Sequence, residues 1–136
     1  MTAWTVSQTD RFKAAVMGAG LPNMISDNSL GDIPSANLSY FEKSPYEDPD
    51  TYFERSAIRY IRNASTPTLI LHGEADTRVS PSQSIEMYIA LQQVGVESTL
   101  VTYPREGHSI RERKHQLDLL NRVVEWYERF LCGGSS

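Results

Sequence analysis

The sequence predicts an α/β fold, because short apolar runs typical of buried strands alternate with amphipathic helices. Two short runs, Phe12 to Met17 and Thr68 to Leu71, are mainly apolar, as strands buried on both faces are. A third run, Ser98 to Tyr103, is rich in β-branched residues and stops at Pro104. Strands that alternate with helices build a parallel sheet with right-handed crossovers, so we expect three parallel strands with flanking helices.

Two helices follow from local signals. The first lies between the second and third strands: Ser80 is a candidate N-cap, Pro81 suits the first helical position, Gln83 would close a capping box and Gly95 ends the pattern. The last helix has apolar residues at spacings of three and four in two adjacent stripes, which predicts a wide apolar face. These stripes are Leu117, Leu120, Val124, Tyr127 and Leu131, and Leu119, Val123, Trp126 and Phe130.

The rest of the chain divides into an opening helix, a long crossover and a tail. The crossover from Pro22 to Asn63 contains four prolines, too many for one continuous helix, so we expect short helical pieces that cover one end of the sheet. The Gly-Gly-Ser-Ser ending resembles a flexible linker. We therefore assign residues 1–131 to one partial α/β domain and residues 132–136 to a flexible tail.

Composition limits the classes of partner. The chain has 136 residues, 40% hydrophobic and 22% charged, which suits one folded domain. Its net charge of −4 offers no basic field for nucleic acid or an anionic membrane surface, so we expect neither partner. No apolar run approaches the roughly 20 residues that span a bilayer, and no secretory signal opens the sequence. The single cysteine, Cys132, cannot form an intrachain disulfide, which favours a cytoplasmic location.

Two loops carry the residues suited to chemistry. They follow the second and third predicted strands, and loops at the carboxyl ends of parallel strands converge on one crevice. The first contains Asp76 and the second contains His108. An imidazole that accepts a proton from a hydroxyl needs a carboxylate on its other ring nitrogen, and these two residues could form that pair. Their order along the chain is that of the acid and base in α/β-hydrolase triads.

These motifs resemble the C-terminal part of the prolyl oligopeptidase family of serine peptidases, most closely its acylaminoacyl and dipeptidyl peptidase branch. The matching stretches are Phe12-Lys-Ala-Ala-Val, Ser44-Pro-Tyr-Glu-Asp-Pro, Thr66-Pro-Thr-Leu-Ile-Leu-His-Gly-Glu-Ala-Asp-Thr-Arg-Val, Ser82-Gln-Ser and Tyr103-Pro-Arg-Glu-Gly-His. The resemblance implies the C-terminal portion of an α/β-hydrolase fold and a Ser-Asp-His mechanism through an acyl-enzyme. The expected substrate is a peptide or an acyl-peptide, and no cofactor is expected.

The resemblance also assigns roles to individual residues. Asp76 matches the triad acid and His108 the triad base. Arg78 matches a position that bonds a main-chain carbonyl of the substrate. Val79 matches a position in the pocket for the residue before the scissile bond, and Leu21 and Met24 are weaker candidates for the wall of that pocket.

The family's nucleophile is missing from this sequence. It sits in a Gly-x-Ser-x-Gly elbow, and no such pentapeptide occurs in these 136 residues. Met1 to Trp4 resembles the stretch after the elbow, so we expect the serine to lie upstream and this chain alone to be inactive. Ser7 and Ser109 lack the elbow glycines and are not substitutes.

A second hypothesis is a non-catalytic remnant or interaction module. A sheet that keeps only three strands leaves Phe12 to Met17 as an apolar edge, and such edges associate. The expected partner is then a second copy of the chain or a complementing chain.

Each assigned residue also has a structural interpretation. His108 could be an ordinary loop histidine and Asp76 a turn residue. Arg78 could instead pair at the surface with Glu74 or Glu106. Leu21, Met24 and Val79 could belong to the core.

The other histidines are expected to be structural. His72 follows a buried strand, which favours a satisfied buried histidine. The run Arg111 to His115 favours a solvated helix start. A metal site formed by the three histidines lacks a known ligand spacing and is not predicted.

Overall fold

The computed structural model describes residues 1–132 and contains one parallel sheet with helices on both faces. The sheet has the order β1-β2-β3, and both neighbouring pairs are parallel. The predicted fold class is therefore confirmed. The elements in chain order are α1 (Thr2–Gln8), β1 (Ala15–Gly18), α2 (Met24–Leu30), α3 (Pro34–Phe41), α4 (Pro49–Glu54), a 3₁₀ helix (Ala57–Asn63), β2 (Thr68–Gly73), α5 (Pro81–Gln93), β3 (Ser98–Tyr103), α6 (Arg113–Tyr127) and a π-helical turn (Glu128–Cys132).

The first strand begins later than its apolar run predicts. Phe12 is half exposed and lies outside the sheet, and the first bond of the ladder runs from the Ala15 amide to the Pro67 carbonyl. The partner strand fixes this start, because β2 begins only at Thr68 and offers nothing for Phe12 to pair with. The expected strand from Phe12 is therefore wrong at its first three residues.

The central strand is buried along its whole length, which explains the apolar run from Leu69 to Leu71. Every residue of β2 is buried, because helices cover both faces of the sheet. Ile70 faces α1, α5 and the 3₁₀ helix, while Leu69 and Leu71 face α6. The neighbouring strand alternates in the same way, with Met17 on the first side and Val16 on the second.

The crossover forms four short helical pieces, as its prolines predict. Pro34 and Pro49 stand at first helical positions, and the Asn23 side chain caps α2 through the Ile25 amide at 3.1 Å. The capping box predicted at α5 is wrong. Ser80 does cap that helix, but the side-chain NH₂ of Gln83 donates to the main-chain carbonyl of Asn23. This bond joins α5 to the start of α2.

The last helix buries only one of its two apolar stripes. Trp126 lies against β2 and β3, and Leu119, Val123 and Phe130 pack around it. In the other stripe each residue has between about a third and somewhat more than half of its surface exposed. This stripe consists of Leu117, Leu120, Val124, Tyr127 and Leu131. The predicted helix is confirmed up to Tyr127, after which the backbone continues as a π-helical turn that includes the exposed Cys132. The predicted tail, apart from Cys132, lies outside the described residues.

None of the helices within residues 1–132 is long and apolar enough to cross a bilayer. The cytoplasmic location stays a prediction.

Helix α5 offers a direct test of which side forms the core. Met87 is fully buried, whereas Ile89 on the same helix is 48% exposed. We predict that Met87→Ala lowers the free energy of unfolding by about 2–5 kcal/mol, because it leaves a cavity in a packed core. The matched variant Ile89→Ala should cost less than about 1 kcal/mol in the same denaturant titration. Equal losses in the two variants would contradict the packing described for this face.

Candidate active site

Two neighbouring strand ends bring Asp76 and His108 together. Gly73 at the end of β2 stands in register with Tyr103 at the end of β3, so the loops that follow leave the sheet side by side. The ring of His108 donates its Nδ1–H to Oδ2 of Asp76 at 2.9 Å. The carboxylate is completely buried, while the imidazole is half exposed. This arrangement leaves the Nε2 atom of His108 available to a group in the crevice.

The Asp76 carboxylate is held by its own turn. Its Oδ1 accepts the main-chain N–H groups of Arg78 at 2.9 Å and Val79 at 3.0 Å. Burial of a negative charge without partners is costly, and these donors together with His108 supply the compensation. The carboxylate therefore has one defined orientation, with Oδ2 directed at the imidazole.

A second histidine lies beside the same carboxylate. The Nε2 atom of His72 is 3.3 Å from Oδ2 of Asp76 and donates its proton to the Val79 carbonyl at 2.9 Å. A carbonyl can only accept, so Nε2 carries a hydrogen, and Nδ1 shares a hydrogen bond of 2.6 Å with the Ser84 hydroxyl. The prediction of a satisfied buried histidine is confirmed. Its contact with Asp76 was not foreseen, although the two residues are only four positions apart.

Main-chain bonds join the two loops directly. The Glu74 amide donates to the Tyr103 carbonyl at 2.9 Å, and the Ala75 amide donates to the Glu106 carbonyl at 2.8 Å. Gly73 lies so close to the second loop that a Cβ atom there would overlap the carbonyl oxygens of Glu106 and Gly107. A residue without a side chain is therefore required where the loops meet.

Two ionisable groups anchor the His108 loop. Burial, followed by the hydrogen bond to Asp118 on α6, raises the pKa of Tyr103 to about 12, so the phenol stays protonated and donates. Hydrogen bonds, first from the Arg111 amide and then from His115, lower the pKa of the Glu106 carboxyl despite its burial. Both side chains therefore keep their bonded protonation states at neutral pH.

The half-exposed ring of His108 borders an open groove. The groove has a volume of about 410 Å³ and runs between the ends of the strands and α6. Its other walls include Gly18, Ala19, Leu71 and Ile110. This groove is the space through which a hydroxyl or a substrate could approach Nε2.

The structure places Leu21 and Met24 on the loop and helix after β1, where both are partly exposed. They line a cavity of about 370 Å³. Gly18 and Ala19 line the same cavity and also line the His108 groove, so the two spaces are neighbours. Leu21 and Met24 also line a second cavity of about 550 Å³. Arg55, at the end of α4, borders both cavities and was missed in the sequence, where no motif surrounds it.

Arg78 and Val79 follow the acid in the same turn. The prediction that Arg78 pairs at the surface with Glu74 or Glu106 is wrong. The guanidinium of Arg78 pairs instead with Asp32 at 2.6 Å. The reason is that the turn before α3 packs on the Asp76 loop, where the Asp32 amide donates to the Thr77 carbonyl. The Val79 side chain is buried, and the Arg78 side chain is half exposed. The pocket role of Val79 and the substrate-binding role of Arg78 stay predictions.

The histidines are not gathered in one place. His72 and His108 contact Asp76, whereas His115 on α6 donates to Glu106 at 2.8 Å. The run at the start of α6 is exposed from Arg111 to Lys114, as predicted, but His115 is only partly exposed. Within residues 1–132, the atoms of Glu106, Glu112 and His115 lie within 4.8 Å of one another, a spacing that could hold a metal ion. Hydrogen bonds inside this cluster and to Arg105 already account for its arrangement.

Comparisons with known proteins give one consistent result. Residues 1–133 match the family model described as the prolyl oligopeptidase family. The uncharacterized peptidase YuxL of Bacillus subtilis is 36% identical over 135 residues, which are 96% of this chain and 20% of that protein. The acylaminoacyl peptidase of Pyrococcus horikoshii superposes with a TM-score of 0.85 at 27% identity, over 96% of this chain and 22% of the other. A puromycin-hydrolyzing peptidase of Mycobacterium tuberculosis also gives 0.85, at 28% identity over 95% and 20%.

The close approach at Gly73 can be tested by substitution. We predict that Gly73→Ala lowers the free energy of unfolding by about 1–3 kcal/mol, because the new methyl group must push the loops apart. The separation should also weaken the Asp76–His108 bond. Long-range ¹H–¹⁵N spectra at pH 9 should then show His108 leaving the Nδ1–H tautomer for a mixture of both.

Gly18→Ala is the matched control, because a Cβ atom there meets nothing within 4 Å. It should change stability by less than about 1 kcal/mol and leave the tautomer of His108 as it is. If Gly73→Ala behaves like Gly18→Ala, the loops do not depend on this glycine.

Proposed function

This chain belongs to the prolyl oligopeptidase family of peptidases, and on that premise we propose that it supplies the acid and base of a serine-type peptidase site. Asp76 is the acid and His108 is the base. The observation that carries the proposal is the 2.9 Å bond from Nδ1 of His108 to a fully buried carboxylate, which leaves Nε2 facing the crevice.

The chemistry follows from the tautomer that this bond fixes. With its Nδ1 proton donated to Asp76, His108 has a free lone pair on Nε2 and can take the proton of an attacking hydroxyl. The ring then becomes an imidazolium, and the adjacent carboxylate stabilises its charge. The same proton passes to the leaving amine as the acyl-enzyme forms, and water reverses the sequence in the second step.

The proposed substrate is a peptide or an acyl-peptide. The cavity beside Gly18 and Ala19 would take the side chain before the scissile bond, and Leu21 and Met24 give it an apolar wall. Arg78 would bond a main-chain carbonyl of the substrate, for which it would have to leave Asp32. An exposed ion pair is weak enough to be exchanged in this way.

The attacking hydroxyl must come from another segment of polypeptide. No Gly-x-Ser-x-Gly pentapeptide occurs in these residues, and the chain spans about a fifth of the length of the relatives it matches. In other triads, loss of the serine costs about a million-fold in turnover, because the members act as a unit. We therefore propose that the chain is inactive until a segment with the nucleophile completes the site.

A chimera provides the test of this function. This chain replaces the matching segment of the Pyrococcus horikoshii acylaminoacyl peptidase, and turnover of a chromogenic acyl-amino-acid substrate is measured. We expect the chimera to be active and the chain alone to be inactive. Asp76→Asn should lower kcat by about ten-thousand-fold, because it favours the wrong tautomer, and His108→Ala by at least as much.

Ser109→Ala is the control, since Ser109 is exposed and adjacent to His108. It should stay within about three-fold of the parent chimera. A folded chimera without turnover, or one in which His108→Ala is as active as Ser109→Ala, would contradict the proposed function.

A second candidate function is association with another copy of the chain. The observation that favours it is an open sheet edge: β1 pairs with β2 on one side only within the described residues. The groove along this edge has a volume of about 220 Å³ and includes Val16 and Tyr127. Tyr127 also belongs to the exposed stripe of α6, so the edge groove adjoins the stripe at this residue, and the two together make the proposed contact surface. Two identical copies could cover this surface around a two-fold axis.

Light scattering after size-exclusion chromatography tests the association. We expect a concentration-dependent dimer that Leu120→Lys, in the exposed stripe, shifts to monomer by raising Kd at least ten-fold. Ile85→Lys is the control, because Ile85 is similarly exposed on α5 but lies away from this surface. A monomer at all concentrations, or equal effects of the two lysines, would exclude association through this surface.

A further inference from the structure

Glu106 is a buried carboxylate that lies outside the proton-transfer steps. It is 3% exposed, and its side chain bonds residues just before α6 and in the first turn of that helix. Its Oε2 accepts the Arg111 amide, and its Oε1 accepts the Glu112 amide and the Nδ1–H of His115, each at 2.8 Å. Three donors at this distance fix a carboxylate in one place. The side chain therefore fastens the His108 loop to the start of α6.

The main chain of the same residue fastens the loop on its other side. The Glu106 carbonyl accepts the Ala75 amide at 2.8 Å, so one residue connects α6, the His108 loop and the Asp76 loop. His108 follows only two positions later, and Gly107 between them lies against Gly73. Within residues 1–132 the His108 ring has a single hydrogen bond, to Asp76, so the loop supplies the rest of its placement.

The backbone just before Glu106 shows that the loop is held under constraint. Arg105 has a φ of 67°, a left-handed conformation that is unfavourable for a residue with a side chain. Its guanidinium donates two hydrogen bonds of 3.0 Å to the Glu112 carboxylate. This ion pair is exposed to solvent and therefore weak. The buried bonds of Glu106 are the stronger restraint on this conformation.

We propose that Glu106 is a positioning residue that holds the ring of His108 against Asp76, acting through the loop that carries both Glu106 and His108. This inference rests on the proposed function for its effect on turnover. Its effect on the geometry of the pair is independent of that function.

Glu106→Gln in the full chain tests the geometry. The amide keeps the size of the side chain but directs an N–H group at one of the donors, so the anchor is lost. In long-range ¹H–¹⁵N spectra at pH 9, we expect the folded variant to lose the Nδ1–H tautomer of His108 in favour of a mixture. In the chimera described above, kcat should fall by about 10- to 100-fold with KM within about two-fold, because a small misplacement of the base affects the chemical step.

Three further variants keep the test decisive. Glu112→Gln is the matched control, because it changes an exposed glutamate of the same segment and should leave tautomer and kcat within about two-fold of the parent. Glu106→Asp restores the charge and should recover part of kcat. If Glu106→Gln fails to fold, His115→Phe removes one donor only and should give a smaller loss in the same direction.

The outcomes separate this inference from the proposed function. A Glu106→Gln or His115→Phe variant that is less stable but keeps the parent tautomer and kcat would overturn the positioning role. An inactive parent chimera would contradict the proposed function, while the spectra of the chain itself would still report on Glu106.

Discussion

The hydrogen bond between Asp76 and His108 depends on the approach of two loops that leave neighbouring parallel strands. The register of β2 with β3 places the two loop origins side by side, and the missing side chain of Gly73 allows their main chains to touch. Once the loops are joined, a buried carboxylate and a half-exposed imidazole are 2.9 Å apart. Everything proposed for the chemistry of this chain requires that distance.

Both loops are stabilised by a buried carboxylate that accepts main-chain amides and an imidazole. Asp76 accepts two amides of its own turn and the ring of His108, and Glu106 accepts two amides before α6 and the ring of His115. In each case the donors compensate for burial of the charge, and the carboxylate fixes the backbone around it. The site is thus built from two similar anchors, of which only one is directed at the crevice.

The sheet that positions the site also has an open side. Helices cover both faces of β2, but in the part of the chain that the structure describes β1 keeps an unpaired edge, and α6 turns an apolar stripe away from the sheet. The edge, the stripe and the groove of His108 all adjoin the side of the sheet beyond β1, since Val16 borders both grooves. A segment that brings a nucleophile and a second copy of the chain would therefore compete for neighbouring surface.

The sequence by itself determined the strand and helix order, the parallel sheet and the pairing of Asp76 with His108. These follow from local apolar patterns and from motifs in loops at strand ends, which are written in consecutive residues. Tertiary structure decided the start of β1, the partner of Gln83 and the pairing of Arg78 with Asp32. Each of these depends on a contact between distant segments: β2 limits the pairing of β1, and the turn before α3 brings Asp32 to the Asp76 loop. Local pattern carries no information about such distances, because they are set only when the elements pack.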